Sequence, residues 1–141
     1  MDYVLRLAEE KAFAVPCSPD ETILAADTTV VLDGEILGKP VDRADAARML
    51  RSLSERKHQV ITGVCLRSPH RTVCEACVTA VWFAPLSAAE IEEYVCSDEP
   101  MDKAGAYGIQ GVASRYIDRI EGSYTNVVGL PVALVYRLLH V

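Results

Sequence analysis

Several features that mark non-globular and membrane proteins are scarce in this chain of 141 residues. Only eight glycines and seven prolines are present and half of the residues are hydrophobic, which excludes disordered, collagen-like and low-complexity proteins. The longest uncharged run, Gly122 to Tyr136, has fifteen residues, whereas a membrane-spanning helix needs about 20. No basic and apolar leader follows Met1, so we expect a cytoplasmic protein that does not enter a membrane.

Positive charges are fewer than negative ones, with 14 Lys and Arg residues against 20 Asp and Glu residues. The formal net charge is −6 at pH 7, which argues against a nucleic-acid polymer as partner, because such binders usually carry a basic face. A small anion can still be bound where a few cations converge. Three of the four lysines, Lys11, Lys39 and Lys103, lie in segments of unusual local sequence.

The five cysteines are odd in number and irregularly spaced, which excludes a disulfide framework. Cys74 and Cys77 have the Cys-x-x-Cys spacing of a zinc or thiol-redox site, and that is one interpretation. Both cysteines lie inside the apolar, strand-forming run Thr72–Phe83, and no second ligand pair follows. We therefore expect small buried hydrophobic side chains here.

The order of hydrophobic patterns predicts an α/β fold of one domain, residues 1–141. Helices are predicted at Asp2–Val15, from Asp42 or Arg43 to Leu53, from Ser87 onward, and from Pro131 to about His140. Strands are predicted at Ile23–Leu32, Glu35–Leu37, His58–Leu66, Thr72–Phe83 and Tyr116–Ile120. Asp33-Gly34 predicts a tight hairpin turn between the first two strands.

Asp27 is a carboxylate within an apolar strand, where burial of an unpaired charge would be strongly unfavourable. One interpretation is a carboxylate satisfied by nearby backbone N–H groups. The other is a general base, or a ligand for Mg²⁺ or Mn²⁺, at the mouth of a site. The residues alone favour neither.

Two further segments contain polar groups suited to an anion. Lys39 lies in Gly38-Lys39-Pro40, where it is either a phosphate contact or merely solvated. The segment Asp102–Gly111 has three glycines three residues apart and contains Lys103 and Gln110, whose amide can read a nucleobase edge. It is either a binding loop or a packed loop whose glycines serve only turns.

No serine or cysteine nucleophile motif accompanies the three histidines, His58, His70 and His140. The polar groups that remain are an acid, cations and an amide, which suit metal-assisted phosphoryl chemistry.

These segments resemble, in order, the motifs of the Maf family of nucleotide pyrophosphatases. The matching segments are Glu10–Ala12, Ala26–Pro40, Leu53–Gly63, Asp102–Gly111 and Asn126–Pro131. The resemblance implies a central mixed sheet flanked by helices, similar to inosine triphosphatase. It also implies hydrolysis of a nucleoside triphosphate to the monophosphate and pyrophosphate with a divalent cation, Mg²⁺ or Mn²⁺, and a homodimer.

The resemblance also implies roles for individual residues. Asp27 would accept a proton from the attacking water, Thr28 and Gln110 would set specificity, and Lys39 would contact substrate. Lys103 is added on its motif and charge.

Specificity follows from the same two positions. The family branch for 7-methylguanosine triphosphate resembles Ser-Asp-Gln where this chain has Ala26-Asp27-Thr28, and has Glu-Gly where this chain has Gln110-Gly111. Both positions indicate the branch for dTTP, UTP and modified pyrimidine nucleotides.

The resemblance departs at the start, where family members have a strand and a Ser-x-Ser-Pro-Arg-type loop before the first helix. That loop supplies a serine and an arginine to the triphosphate. The alternative hypothesis is therefore a truncated, non-catalytic module of the same fold that binds a nucleotide or a protein.

Overall fold

The computed structural model describes residues 1–140, so Val141, the last residue of the predicted domain, lies outside the described residues. Five strands form one sheet in the order β2-β1-β3-β4-β5. The strands are β1 Ile23–Leu32, β2 Glu35–Leu37, β3 Lys57–Ser68, β4 Arg71–Phe83 and β5 Ile117–Glu121. The helices are α1 Asp2–Phe13, α2 Arg43–Leu53, α3 Ala88–Cys96, α4 Tyr124–Val128 and α5 Val132–Leu139. The predicted α/β class is confirmed, and none of the helices described is long and apolar enough to cross a membrane.

The predicted hairpin between β1 and β2 is confirmed. The two strands pair antiparallel with Val30 opposite Leu37, and the turn places Asp33 at φ 52° and Gly34 at φ 78°. Positive φ at both central residues is the geometry that an Asp-Gly turn favours. The hairpin therefore fixes the end of β1 and the start of the segment that contains Lys39.

Two helix starts follow their sequence signals. The side chain of Asp42 accepts a hydrogen bond from the Asp45 backbone N–H at 2.7 Å, and Ser87 and Glu90 form a reciprocal capping box. A helix that starts near Asp2 also predicts this side chain as its N-cap, and that prediction is wrong: Met1 holds the cap position and Asp2 lies in the first turn. The predicted end at Val15 is also two residues too late, and Val15 is exposed.

Short helices account for the elements that the pattern did not predict. Helix α4 has only five residues, with the Ser123 side chain accepting from the Asn126 backbone N–H. The segment Asp102–Gly111, called here the glycine-rich segment, and the residues on either side of it form three 3₁₀ helices. These are Glu99–Asp102, Ala104–Ala106 and Val112–Tyr116. Elements this short complete too few turns to show a hydrophobic period. Pro131 is the N-cap of α5 rather than a residue of its first turn.

The described residues group into two compact units, to each of which β1, β3 and β4 contribute. The first comprises Met1–Thr28, Ile61–Val78 and the chain from Ser123 onward; the second comprises Thr29–Val60 and Thr79–Gly122.

Side chains in the first unit alternate between two apolar clusters. Helix α1 contributes Ala8 and Ala12 to one cluster, which also contains Cys65 of β3 and Ala25 of β1. Helix α5 contributes Leu134, Val135 and Leu138 to the other cluster. Its strand residues are Val64, Leu66, Ala26, Val73 and Cys77. Since successive strand residues point to opposite faces, one sheet face packs on α1 and the other on α5.

The second unit holds the glycine-rich segment against β1. Gly105 has φ 70°, and a Cβ on it would lie 2.7 Å from Val30 Cγ2. The Gly105 N–H also donates to the carbonyl oxygen of Gly38 at 3.1 Å. Glycine is required here because the backbone is left-handed and lies directly on the strand.

Candidate active site

Asp27 is paired with a cation from the first helix. The Lys11 ammonium donates to Asp27 Oδ1 at 2.6 Å and to the Ala26 carbonyl oxygen at 3.3 Å. The Asp27 side chain is 18% exposed, whereas that of Lys11 is 55% exposed. The carboxylate is therefore neither an unpaired buried charge nor capped by backbone alone, and it retains access to solvent.

Lys11 is a site residue that was not among the predicted ones. Sixteen positions separate it from Asp27, so no local spacing relates the two. The available signal was helical: Lys11 follows Val4 by seven residues and Ala8 by three, and both of those residues are buried. Such spacing places Lys11 beside the packed face of α1, within reach of the sheet.

Thr28 lies on the opposite face of β1 from Asp27, as strand alternation requires. Its hydroxyl lies 2.8 Å from Thr62 Oγ1 of β3 and donates to the Gly129 carbonyl oxygen at 3.3 Å. The hydroxyl therefore ties β1 to β3 and to the turn before α5. The predicted role of Thr28 in specificity stays a prediction.

Buried polar groups hold the Asn126–Pro131 motif in place through hydrogen bonds. Thr62 Oγ1 lies 3.4 Å from the Asn126 carbonyl oxygen, and Asn126 Nδ2 donates to the Cys77 carbonyl oxygen at 3.2 Å. Thr62 and Asn126 are both fully buried. A buried polar network of this kind fixes the position of the turn that Thr28 contacts.

In the second unit, Lys39 and Lys103 differ in exposure and in hydrogen bonding. Lys39 is exposed. Lys103 Nζ instead donates to the Glu99 carbonyl oxygen at 3.0 Å and to Asp102 Oδ1 at 2.9 Å. The Lys103 hydrogen bond and charge, with a smaller contribution from Lys39, hold the pKa of Asp102 below its usual value. Both lysines therefore act on one exposed carboxylate.

Gln110 is exposed at a turn, and the Glu99 side chain contacts the residues that follow it. The Glu99 carboxylate accepts from the Val112 backbone N–H at 3.1 Å and lies against Gly111, where any Cβ would overlap it. A side chain at position 111 would therefore displace the Glu99 carboxylate from this contact. The turn presents the Gln110 amide outward.

The glycine-rich segment is also held by an aromatic cluster. Tyr107 Oη and His58 Nε2 lie 2.5 Å apart, and the rings of His58, Tyr107 and Phe83 meet edge to face. His58 is 2% exposed. Burial lowers the pKa of His58 to about 4, so the ring is neutral at pH 7.

We expect His58 to make the protein less stable in mild acid. Its pKa is about 4 in the folded chain and near 6.5 when unfolded, so between those values the unfolded chain binds more protons. The stabilisation is complete above pH 6.5 and is lost as the pH falls toward 4. Denaturant unfolding should show a loss of about 2 kcal/mol from this residue between pH 7 and pH 5.

His58→Gln isolates that effect, because glutamine keeps a hydrogen-bonding group near Tyr107 but does not titrate. The free energy of unfolding of the variant should change less between pH 7 and pH 5 than that of the unsubstituted chain. An equal loss in both proteins would show that His58 does not take up the proton.

The described protein side chains alone do not form a site for a divalent cation, so such an ion would need ligands from the substrate as well. Among residues 1–140, no three His, Cys, Asp or Glu side chains cluster closely enough to hold a metal ion. Cys74 and Cys77 do not converge either, because they pack in the two clusters on opposite faces of β4. Mg²⁺ is commonly held by one or two carboxylates plus substrate phosphates, and Asp27 is a carboxylate of that kind.

Known proteins are similar to this chain over all or nearly all of its length. A family model described as Maf-like protein covers residues 1–141. The dTTP/UTP pyrophosphatase of Koribacter versatilis (strain Ellin345) is 53% identical over 138 residues, which are 97% of this chain and 72% of the relative. That of Anaeromyxobacter sp. (strain Fw109-5) is 56% identical, covering 97% and 68%, and that of Shewanella oneidensis is 52% identical, covering 98% and 73%.

Proposed function

The chain belongs to the Maf-like protein family, and we propose that it hydrolyses nucleoside triphosphates, with dTTP and UTP as substrates, to the monophosphate and pyrophosphate. The observation that carries the proposal is identity of 52–56% with proteins named dTTP/UTP pyrophosphatase over nearly the whole chain. Modified pyrimidine nucleotides belong to the same proposal, because the base edge that Gln110 would read is shared.

Asp27 is the proton acceptor in the proposed reaction. Water attacks the α-phosphorus, the bond from that phosphorus to the bridging oxygen breaks, and pyrophosphate leaves. Lys11 orients the carboxylate through Oδ1, and the second oxygen, Oδ2, takes the proton of the water. An 18% exposed carboxylate that is held by one ammonium suits this role, since it is both oriented and accessible.

Lys39 and Lys103 are proposed to act on the triphosphate in different ways. Lys39 is exposed and can contact a phosphate directly. The Lys103 ammonium is paired with the Asp102 carboxylate and donates to the Glu99 carbonyl oxygen, so it acts by positioning this loop. A Mg²⁺ or Mn²⁺ ion bound with the substrate would neutralise phosphate charge.

The partners proposed for this chain are small. A net charge of −6 suits a small nucleotide substrate better than a nucleic-acid polymer. A homodimer and a cytoplasmic location complete the proposal. Sedimentation of the purified chain at several concentrations tests the dimer.

The decisive assay incubates the purified chain with dTTP, UTP, ATP and 7-methylguanosine triphosphate in the presence of Mg²⁺ or Mn²⁺. We expect pyrophosphate and the nucleoside monophosphate in equal amounts, fastest from dTTP and UTP. Release of inorganic phosphate with a nucleoside diphosphate would contradict attack at the α-phosphorus, and no turnover with any substrate would contradict the activity itself.

Gln110→Glu should lower kcat/KM for dTTP and UTP by about 10- to 100-fold. The amide both donates and accepts, as the O4 and N3–H edge of these bases requires, whereas a carboxylate only accepts. A lost hydrogen bond with an unsatisfied partner corresponds to about 1–3 kcal/mol. The measurement is steady-state release of pyrophosphate from each triphosphate.

Gln59→Glu is the matched control, because it makes the same chemical change at an exposed position of β3. Its kcat/KM should stay close to that of the unsubstituted chain. Equal effects of the two substitutions would mean that the added negative charge, rather than recognition of the base by Gln110, lowers the rate.

A further inference from the structure

Two cysteines face each other across neighbouring strands of the first unit. Strand β3 ends at Ser68 and β4 begins at Arg71, so a two-residue turn connects them. Counting outward from that turn along both strands places Cys65 directly opposite Cys74. Their sulfur atoms lie 2.7 Å apart.

The surroundings of the two sulfurs distinguish this pair from the Cys-x-x-Cys spacing in the sequence. Cys65 and Cys74 belong to the cluster beneath α1, together with Ala8 and Ala12. Cys77 packs in the cluster on the α5 side. Two residues an odd number of positions apart on a strand direct their side chains to opposite faces of the sheet. The thiol nearest to Cys74 is therefore that of Cys65 on the neighbouring strand, and not that of Cys77 on its own strand.

We propose that Cys65 and Cys74 are an oxidisable dithiol that closes to a disulfide when the protein meets a hydroperoxide. A disulfide bond is about 2.0 Å long, so closure moves the sulfurs by less than about 1 Å. Directly opposed strand residues also satisfy the Cα separation that a disulfide requires. The proposal is independent of the activity proposed above.

The reaction proceeds in two balanced steps. The Cys74 sulfur attacks the hydroperoxide, the O–O bond breaks, and Cys74 becomes a sulfenic acid as water or an alcohol leaves. The Cys65 thiol then displaces hydroxide from that sulfur, and the S–S bond forms as a second water leaves. The two thiols together lose two electrons and two protons to the peroxide.

The burial of the two thiols sets their order of reaction. Cys65 is fully buried, and burial is the main cause that raises its pKa to about 12. Cys74 is only half-buried, so a small peroxide reaches it first. Cys65 is therefore the resolving thiol, already in place when the sulfenic acid forms.

The test counts thiols and maps the linkage. The reduced chain is treated with hydrogen peroxide, alkylated with iodoacetamide under denaturing conditions and weighed intact. We expect three alkylated cysteines instead of five, and restoration to five by dithiothreitol. Trypsin together with a glutamate-specific protease cuts at Arg67, Arg71 and Glu75, so the peptide of Cys65 should be joined to that of Cys74 and not to that of Cys77.

Two variants separate the proposed pair from other thiols. Cys77→Ala should form the same linkage, whereas Cys74→Ala should leave every remaining cysteine open to alkylation. Cys74→Ala also avoids the fully buried position, so its fold should be retained. Five alkylated cysteines after peroxide, oxygen addition to Cys74 without a linkage, or a bridge that includes Cys77 or Cys96 would each overturn the proposal.

Discussion

Replacing Asp27 with asparagine should lower kcat for pyrophosphate release from dTTP by at least about 100-fold. General-base catalysis by a positioned carboxylate contributes roughly 10² to 10⁴ in rate, and an amide cannot accept the proton. Asparagine keeps the size of the side chain and an oxygen that can accept from Lys11. The loss should therefore appear mainly in kcat, with a smaller change in KM.

The fold should survive this substitution. The Lys11–Asp27 pair is partly exposed, with the lysine side chain 55% exposed, and ion pairs of this kind contribute little to stability. Asp20→Asn is the matched control, because it removes an exposed carboxylate near the start of β1. Full activity of Asp27→Asn, or an equal loss in Asp20→Asn, would remove Asp27 from the proposed mechanism.

Replacing Gly63 with alanine should destabilise the protein by about 3 kcal/mol. A Cβ on Gly63 would lie 2.5 Å from the Val4 carbonyl oxygen and 2.6 Å from its carbonyl carbon. Both atoms belong to the backbone of α1, which cannot rotate away as a side chain can. Overfilling a packed site usually costs about 1–3 kcal/mol, and a clash with backbone lies at the upper end.

Gly38→Ala provides the comparison for Gly63→Ala, because a Cβ on Gly38 would meet no atom within 4 Å. Thermal unfolding should show a clear drop in Tm for Gly63→Ala and almost none for Gly38→Ala. Activity gives a second readout: moving α1 away from β3 also moves Lys11 away from Asp27, so kcat should fall in Gly63→Ala. Equal Tm values for both variants would mean that α1 does not pack on Gly63 as closely as described.

Much of the fold was predictable because its signals are local. The Asp33-Gly34 turn and the capping box at Ser87 act within a few residues, and the structure has both. The short helices at Tyr124–Val128 and in and beside the glycine-rich segment were not predicted, because helices of three to five residues complete too few turns to show a hydrophobic period.

The candidate site divides in the same way. Asp27 is conspicuous in the sequence because a charge within an apolar strand needs a partner, but the partner itself lies sixteen residues away on a helix. Pairing at that distance depends on how α1 packs on the sheet. Gly63 permits the close approach of α1 at Val4, and no local pattern encodes that contact. The pairing of Cys74 with Cys65, rather than with Cys77, is likewise a property of neighbouring strands.

The alternation of Asp27 and Thr28 across β1 has a consequence for changes in chain length. A one-residue deletion or insertion before Asp27 within the strand would exchange the two faces, moving the carboxylate toward Gly129 and the hydroxyl toward Lys11. No compensating substitution at a single position restores both contacts. We therefore expect β1 to tolerate changes of side chain far better than changes of length. The stretch from Ser18 to Thr22 is exposed and precedes the strand, so it can absorb an added residue without altering that parity.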